Sequence, residues 1–107
     1  MASVPITVVR VYLREGEHKL SKLTDFLHAQ KVSGMTVLRG IAGFGPDGRP
    51  HTASLLDLSL DLPLVVEFYD TPERVDGLLT DLLAVMDLPH VVSWPAESHC
   101  RDAVTAS

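Results

Sequence analysis

A chain of 107 residues with 46% hydrophobic and 21% charged side chains has the make-up of one globular domain, too short for two and too apolar to stay unfolded. At this length folding hides roughly 65% of the surface an unfolded chain exposes, so a core can form without metal or disulfide staples. The formal charge is −5 and the nine basic residues never stand side by side, which argues against a nucleic-acid partner, because such proteins cluster Lys and Arg to displace counterions from phosphates.

Cys100 stands alone, so no disulfide forms within the chain, as suits a reducing compartment. Met1 to Pro5 carries neither the basic nor the apolar segment of an export signal, and no apolar run reaches the length of a membrane span. A cytoplasmic protein without membrane insertion is expected.

Residues 4–13 are rich in β-branched and aromatic types and predict a first strand. Val9, Val11 and Leu13 fall on one face, and Ile6, Val8 and Tyr12 on the other, where Arg10 interrupts them. A strand apolar on both faces needs cover on both, helices on one side and a partner subunit on the other. Over 18–31 the period changes to 3.6: Leu20, Leu23 and Leu27 make one stripe with Phe26 beside it, which predicts a helix that ends near Gly34. Residues 35–42 predict a second strand, followed by a loop with a Pro46-Asp47-Gly48 turn signal.

Leu56, Leu58, Leu60 and Leu62 then alternate with Asp57, Ser59 and Asp61, the pattern of a half-exposed strand. Pro63 interrupts its hydrogen-bond ladder, so a bend or bulge is expected before residues 64–69 continue as strand. Asp70, Pro72 and Glu73 offer a helix N-cap, a first-turn proline and a capping-box partner. Val75, Leu78, Leu79, Leu82, Leu83 and Met86 follow at helical spacing. Residues 90–94 predict a short last strand, so the folded core is expected over about 4–94, with 96–107 a flexible tail.

The order β–α–β–β–α–β with short connections predicts an α+β fold of ferredoxin-like type. It has a four-stranded antiparallel sheet with two helices on one face. Ile6, Val8, Tyr12, Val37 and Ile41 are then expected on the uncovered face, an apolar patch that oligomerisation would hide.

The segment 34–52, GMTVLRGIAGFGPDGRPHT, with LSLDLPLVVE at 58–67, resembles an uncharacterised bacterial and archaeal PII-like family, a domain of unknown function with a nitrogen-regulatory-PII-like fold. Val11-Tyr12-Leu13 and Glu15 look like that family's opening strand and the acidic residue after it. Met35 in place of Ala, Pro50 in place of Ile, and the segment after the second helix depart from the family's pattern. The resemblance implies a homotrimer with the sheets lining the centre, and a small anionic ligand, a nucleotide and perhaps an adenine nucleotide, in clefts between subunits. It further implies that the loop at about 43–54 changes conformation and touches a partner protein, so the chain reads as a signalling sensor.

Ligand-binding candidates cluster on and around that loop: Arg39, Gly40, Gly43, Phe44, Gly45, Arg49, His51 and Thr52. Two readings of Arg39 stand. Its planar guanidinium suits bidentate contact with phosphate or carboxylate, and equally an ion pair with Glu67 on the neighbouring strand, a Glu that Arg10 could also reach. Gly40, Gly43 and Gly45 either leave backbone N–H groups to cradle an anion or only permit turns. The run lacks the Lys-Ser/Thr of a phosphate-binding P-loop and the following helix of a dinucleotide fingerprint. His51 can hydrogen-bond a ligand or face solvent, and Phe44 can stack on a base or anchor the loop in a neighbour.

No cofactor or metal is called for, since His18, His28, His51, His90 and His99 lack the spacing that puts two ligands on one helix face. No Ser or Cys sits in a nucleophile context and Asp57, Asp61 and Glu67 form no acid/base couple, so no catalytic residue and no enzyme is expected. The alternative to a sensor is a ligand-free structural or interaction module that acts through its trimeric assembly. A weaker third reading, a small hydrolase or isomerase, would need His51 as base at a trimer cleft.

Overall fold

The structure, a computed structural model, describes residues 2–44, 48, 50–52 and 62–100, with backbone alone for 50–52 and Cys100. Its elements in chain order are β1 (Ala2–Arg14), a 3-10 turn (Glu15–Glu17), α1 (Leu20–Ala29), β2 (Gly34–Arg39), β3 (Ala42–Phe44), β4 (Pro50–Thr52), β5 (Pro63–Asp70), α2 (Pro72–Val85) and β6 (Val91–Cys100). β2, β5, β1 and β6 form one sheet in that order, antiparallel throughout, and β3 pairs with β4 as a small hairpin. The expected four-stranded sheet with two helices is therefore present. The hairpin arises inside what the sequence suggested was the end of one strand and a loop. The alternating segment 56–62 lies outside the described residues except for Leu62, which is buried.

Strand pairing decides which side chains reach the core. Val9 stands opposite Phe68, Val11 opposite Val66 and Leu13 opposite Leu64, and all six are buried on the face the helices cover. Leu23 and Leu27 of α1 and Val75, Leu78 and Leu82 of α2 close over them, while Leu20, Phe26 and Leu79 pack at the margin. At roughly 1.5–3 kcal/mol for each large apolar side chain removed from water, this layer drives the fold. Leu83, placed on the helical stripe by spacing, instead stands 49% exposed at the edge of α2.

Asp70 ends β5 buried and does not cap α2; that position belongs to Thr71, whose side chain makes no cap bond. The Asp70 carboxylate instead accepts the Ser33 N–H at 3.1 Å, the Thr71 N–H at 2.7 Å and Arg74 at 2.8 Å. Arg74 also donates to the carbonyls of Gln30 and Lys31 just beyond α1. A buried carboxylate needs such partners, and here they tie the end of one helix to the start of the other.

α1 begins two residues later than the sequence suggests. Glu17 accepts the Arg14 N–H at 2.8 Å to close the 3-10 turn, and His18 takes a left-handed conformation at φ 57 before the helix starts. β6 is longer than the short strand expected: it runs through Cys100 and pairs Ala96 with Ile6 and Cys100 with Ala2. Residues 96–100 thus belong to the sheet, because β1 starts at Ala2 and offers them a backbone ladder that no side-chain pattern announces. Residues 101–107 lie outside the described set.

The face away from the helices carries Ile6, Val8, Arg10 and Tyr12 of β1, Val65 and Tyr69 of β5, Leu38 of β2, and Val92 and Trp94 of β6. Two expected members are absent from it. Val37 stands opposite Val66 and so turns to the helix side, its place taken by Leu38 opposite Val65; Ile41 follows the end of β2 and is 81% exposed.

Candidate functional site

The candidate residues around the loop do not form one cluster. Arg39 stands opposite Leu64, which turns its side chain to the helix side, where it bonds Glu15 through Nε. That hydrogen bond, with the attraction of the same carboxylate, holds the Arg39 guanidinium above its ordinary pKa. The pairing with Glu67 weighed from the sequence is therefore corrected: Glu67 lies on the other face, opposite Arg10, and accepts from Arg10 at 2.9 Å. Arg10 also lies over the Trp94 ring at 5.8 Å, and its pKa is raised by the hydrogen bonds of Glu67 and Tyr12. Arg39 is an exposed residue rather than a buried one, and it lines a groove of about 520 Å³ with Glu15, His18 and Ser21.

A larger cleft, about 790 Å³, opens at the end of the sheet. Its walls come from the end of β1, the approach to the β3–β4 hairpin, the start of β5 and the start of β6. Of the candidates, Gly40, Gly43 and Phe44 line it, together with Tyr12, Pro63 and His90. Tyr12, Val65 and Val92 bring the uncovered sheet face into its wall, so cleft and apolar face are continuous.

Local geometry explains the glycines. The Gly40 N–H donates to the Pro63 carbonyl at 2.7 Å, and a Cβ on Gly40 would come within 2.8 Å of the proline Cγ. On Gly43 a Cβ would stand 3.3 Å from the same atom, and Gly43 pairs with His51 in the hairpin. These two glycines let the chain cross closely over Pro63, and the Gly40 N–H is not free to hold an anion. Gly48, in the expected turn, adopts φ 71, a left-handed conformation that suits glycine. Gly45 and Arg49 lie outside the described residues, and His51 and Thr52 are described as backbone of β4 only.

Sequence reasoning missed the far wall. Tyr12 was assigned to the uncovered face without a role, and His90 was passed over as part of the last strand. The strand order brings them together: β6 lies beside β1, and the Tyr12 N–H donates to the His90 carbonyl at 3.0 Å. Arg14 and Glu17 are the cleft's two side chains with a full charge among the described residues, one of each sign. Among the described residues no group of three His, Cys, Asp or Glu is placed to hold a metal, and no helix is long and apolar enough to cross a membrane.

The model of the DUF190 family, described as "Uncharacterized ACR", matches residues 6–98. The chain belongs to this family. A UPF0166 protein of Methanocaldococcus jannaschii is 31% identical to this DUF190 chain over 84 residues, 74% of this chain and 77% of the relative. Among solved structures, CPII of Thiomonas intermedia K12, a nitrogen regulatory PII-like protein bound to ADP, AMP and bicarbonate, superposes with a TM-score of 0.67. It covers 97% of this chain and 95% of its own, at 20% identity. CutA1 of Oryza sativa superposes with a TM-score of 0.60 at 17% identity, over 97% of this chain and 91% of its own. The fold of the DUF190 chain is thus PII-like, as the resemblance at 34–67 implied.

Proposed function

We propose that this DUF190 protein is a PII-like sensor that acts by binding rather than by catalysis. Three copies associate through the uncovered sheet face, and a nucleotide occupies the cleft beside Phe44 and His90 at the seam. The loop at 43–54 then changes conformation and regulates a partner protein.

The observation that carries this reading is the continuity of an approximately 790 Å³ cleft with an apolar sheet face. Ligand sites of small molecules span about 300–1,000 Å³, and a cleft edged by a self-associating surface is completed when a second copy arrives. Tyr12, Leu38, Val92 and Trp94 each leave between 38% and 48% of their surface on that face exposed in the single chain. The bound ADP and AMP of CPII, a protein of the same fold, support the class of ligand.

Binding that favours one loop conformation over the other by a few kcal/mol moves nearly the whole population, so ligand occupancy alone can serve as the signal. Isothermal titration calorimetry against adenine and guanine nucleotides tests the proposal. Saturable binding to the assembled protein supports it, and the absence of heat with every nucleotide at millimolar concentration counts against it.

A further inference from the structure

We infer that the cleft holds its nucleotide by the base and contributes no grip on the phosphates, an inference that rests on the ligand-binding reading above. The walls a ligand meets are flat and largely apolar: Tyr12, Phe44, Pro63, Pro89, His90 and Val92. Phe44 stands 76% exposed at the lip, a large aromatic ring held in water, as a stacking platform requires. Rings of this kind accept the π-face of a purine whatever is attached to its ribose.

Nothing comparable awaits a phosphate. Arg14 and Glu17 cancel in charge, and a carboxylate in the wall repels an added phosphate. The other cations near the sheet ends are committed elsewhere. Arg39 bonds Glu15 in the separate groove, and Arg10 bonds Glu67 under Trp94. Lys19 and Lys22 donate to the carbonyls of Asp87 and Val85 at the end of α2, at 2.8 and 3.2 Å, and Arg74 bonds Asp70. The Gly40 N–H, the backbone donor at the base of the hairpin, is taken by Pro63. A chain of formal charge −5 adds no long-range attraction for a polyanion. A phosphate drawn into such a cleft would lose water without gaining a charged partner, so the favourable place for it is solvent.

The test is calorimetry of the full-length protein with adenosine, AMP, ADP and ATP, without divalent metal, at low and at high salt. The inference expects four dissociation constants within about threefold of one another and little change with salt. Phe44→Ala should weaken all four by about tenfold, as loss of one stacking face does. An affinity that climbs steeply from adenosine to ATP and collapses in salt overturns the base-only grip while leaving a nucleotide sensor in place. A flat series that Phe44→Ala does not weaken overturns the placement of the base. No heat with any of the four overturns the ligand reading itself, and this inference falls with it.

Discussion

Val8→Lys separates an assembled protein from a single subunit with an unusual surface. Val8 lies on β1, an interior strand of the sheet, with Tyr69 opposite it on one side and Trp94 on the other. Its neighbours in sequence turn the other way: Val9 is fully buried under the helices, so the substitution leaves the core untouched. If the face stays open to water, an ammonium there is a surface change worth less than about 0.5 kcal/mol. If copies cover the face, each seam must bury an unpaired charge, at a cost of about 3–5 kcal/mol. That lowers association roughly a thousandfold per seam, enough to dissociate a trimer at working concentrations. The assay is light scattering coupled to size exclusion, with circular dichroism to confirm the fold. The wild type should give three times the 11.7 kDa chain mass and Val8→Lys a single chain of unchanged helix content. Thr80→Lys, on an exposed turn of α2, should remain assembled. A wild type that is itself one chain, or a Val8→Lys protein that keeps the wild-type mass, refutes the reasoning.

Further outcomes follow from the same geometry. Leu82→Ala empties a fully buried site between α2 and the sheet and should cost about 2–5 kcal/mol, read from urea unfolding. Asp70→Ala strands the Ser33 and Thr71 N–H groups and Arg74, so it should cost more than about 2 kcal/mol, with Asp70→Asn milder because one acceptor survives. Gly40→Ala presses a methyl against the Pro63 ring and should lower stability by about 1–3 kcal/mol on thermal unfolding while weakening nucleotide binding. Arg39→Ala, whose side chain lies in the other groove, should leave nucleotide affinity within about twofold by calorimetry.

Side-chain periodicity made most of the fold legible. The alternation of Val9, Val11 and Leu13, the leucine stripe of α1 and the proline-led start of α2 each report a face turned to the core, and each lies where the pattern put it. Register was not legible, because a slip of one residue exchanges the faces without altering composition. That is why Val37 and Leu38 exchanged places, and why Arg39 found Glu15 instead of Glu67. The extent of β6 escaped for a related reason: Ala96, Glu97 and Ser98 have no strand pattern, and they pair because β1 provides the ladder. At the site, the glycines and Phe44 were visible in sequence, but Tyr12 and His90 come together only through the order of strands.

The account stands most directly on where a nucleotide comes to rest. A crystal structure of the protein grown with saturating AMP should show the purine against the Phe44 ring, walled by Tyr12 and His90, in the cleft at a subunit seam. Electron density for AMP in the groove beside Arg39 and Glu15, or an empty cleft in crystals of a protein saturated in solution, would contradict it.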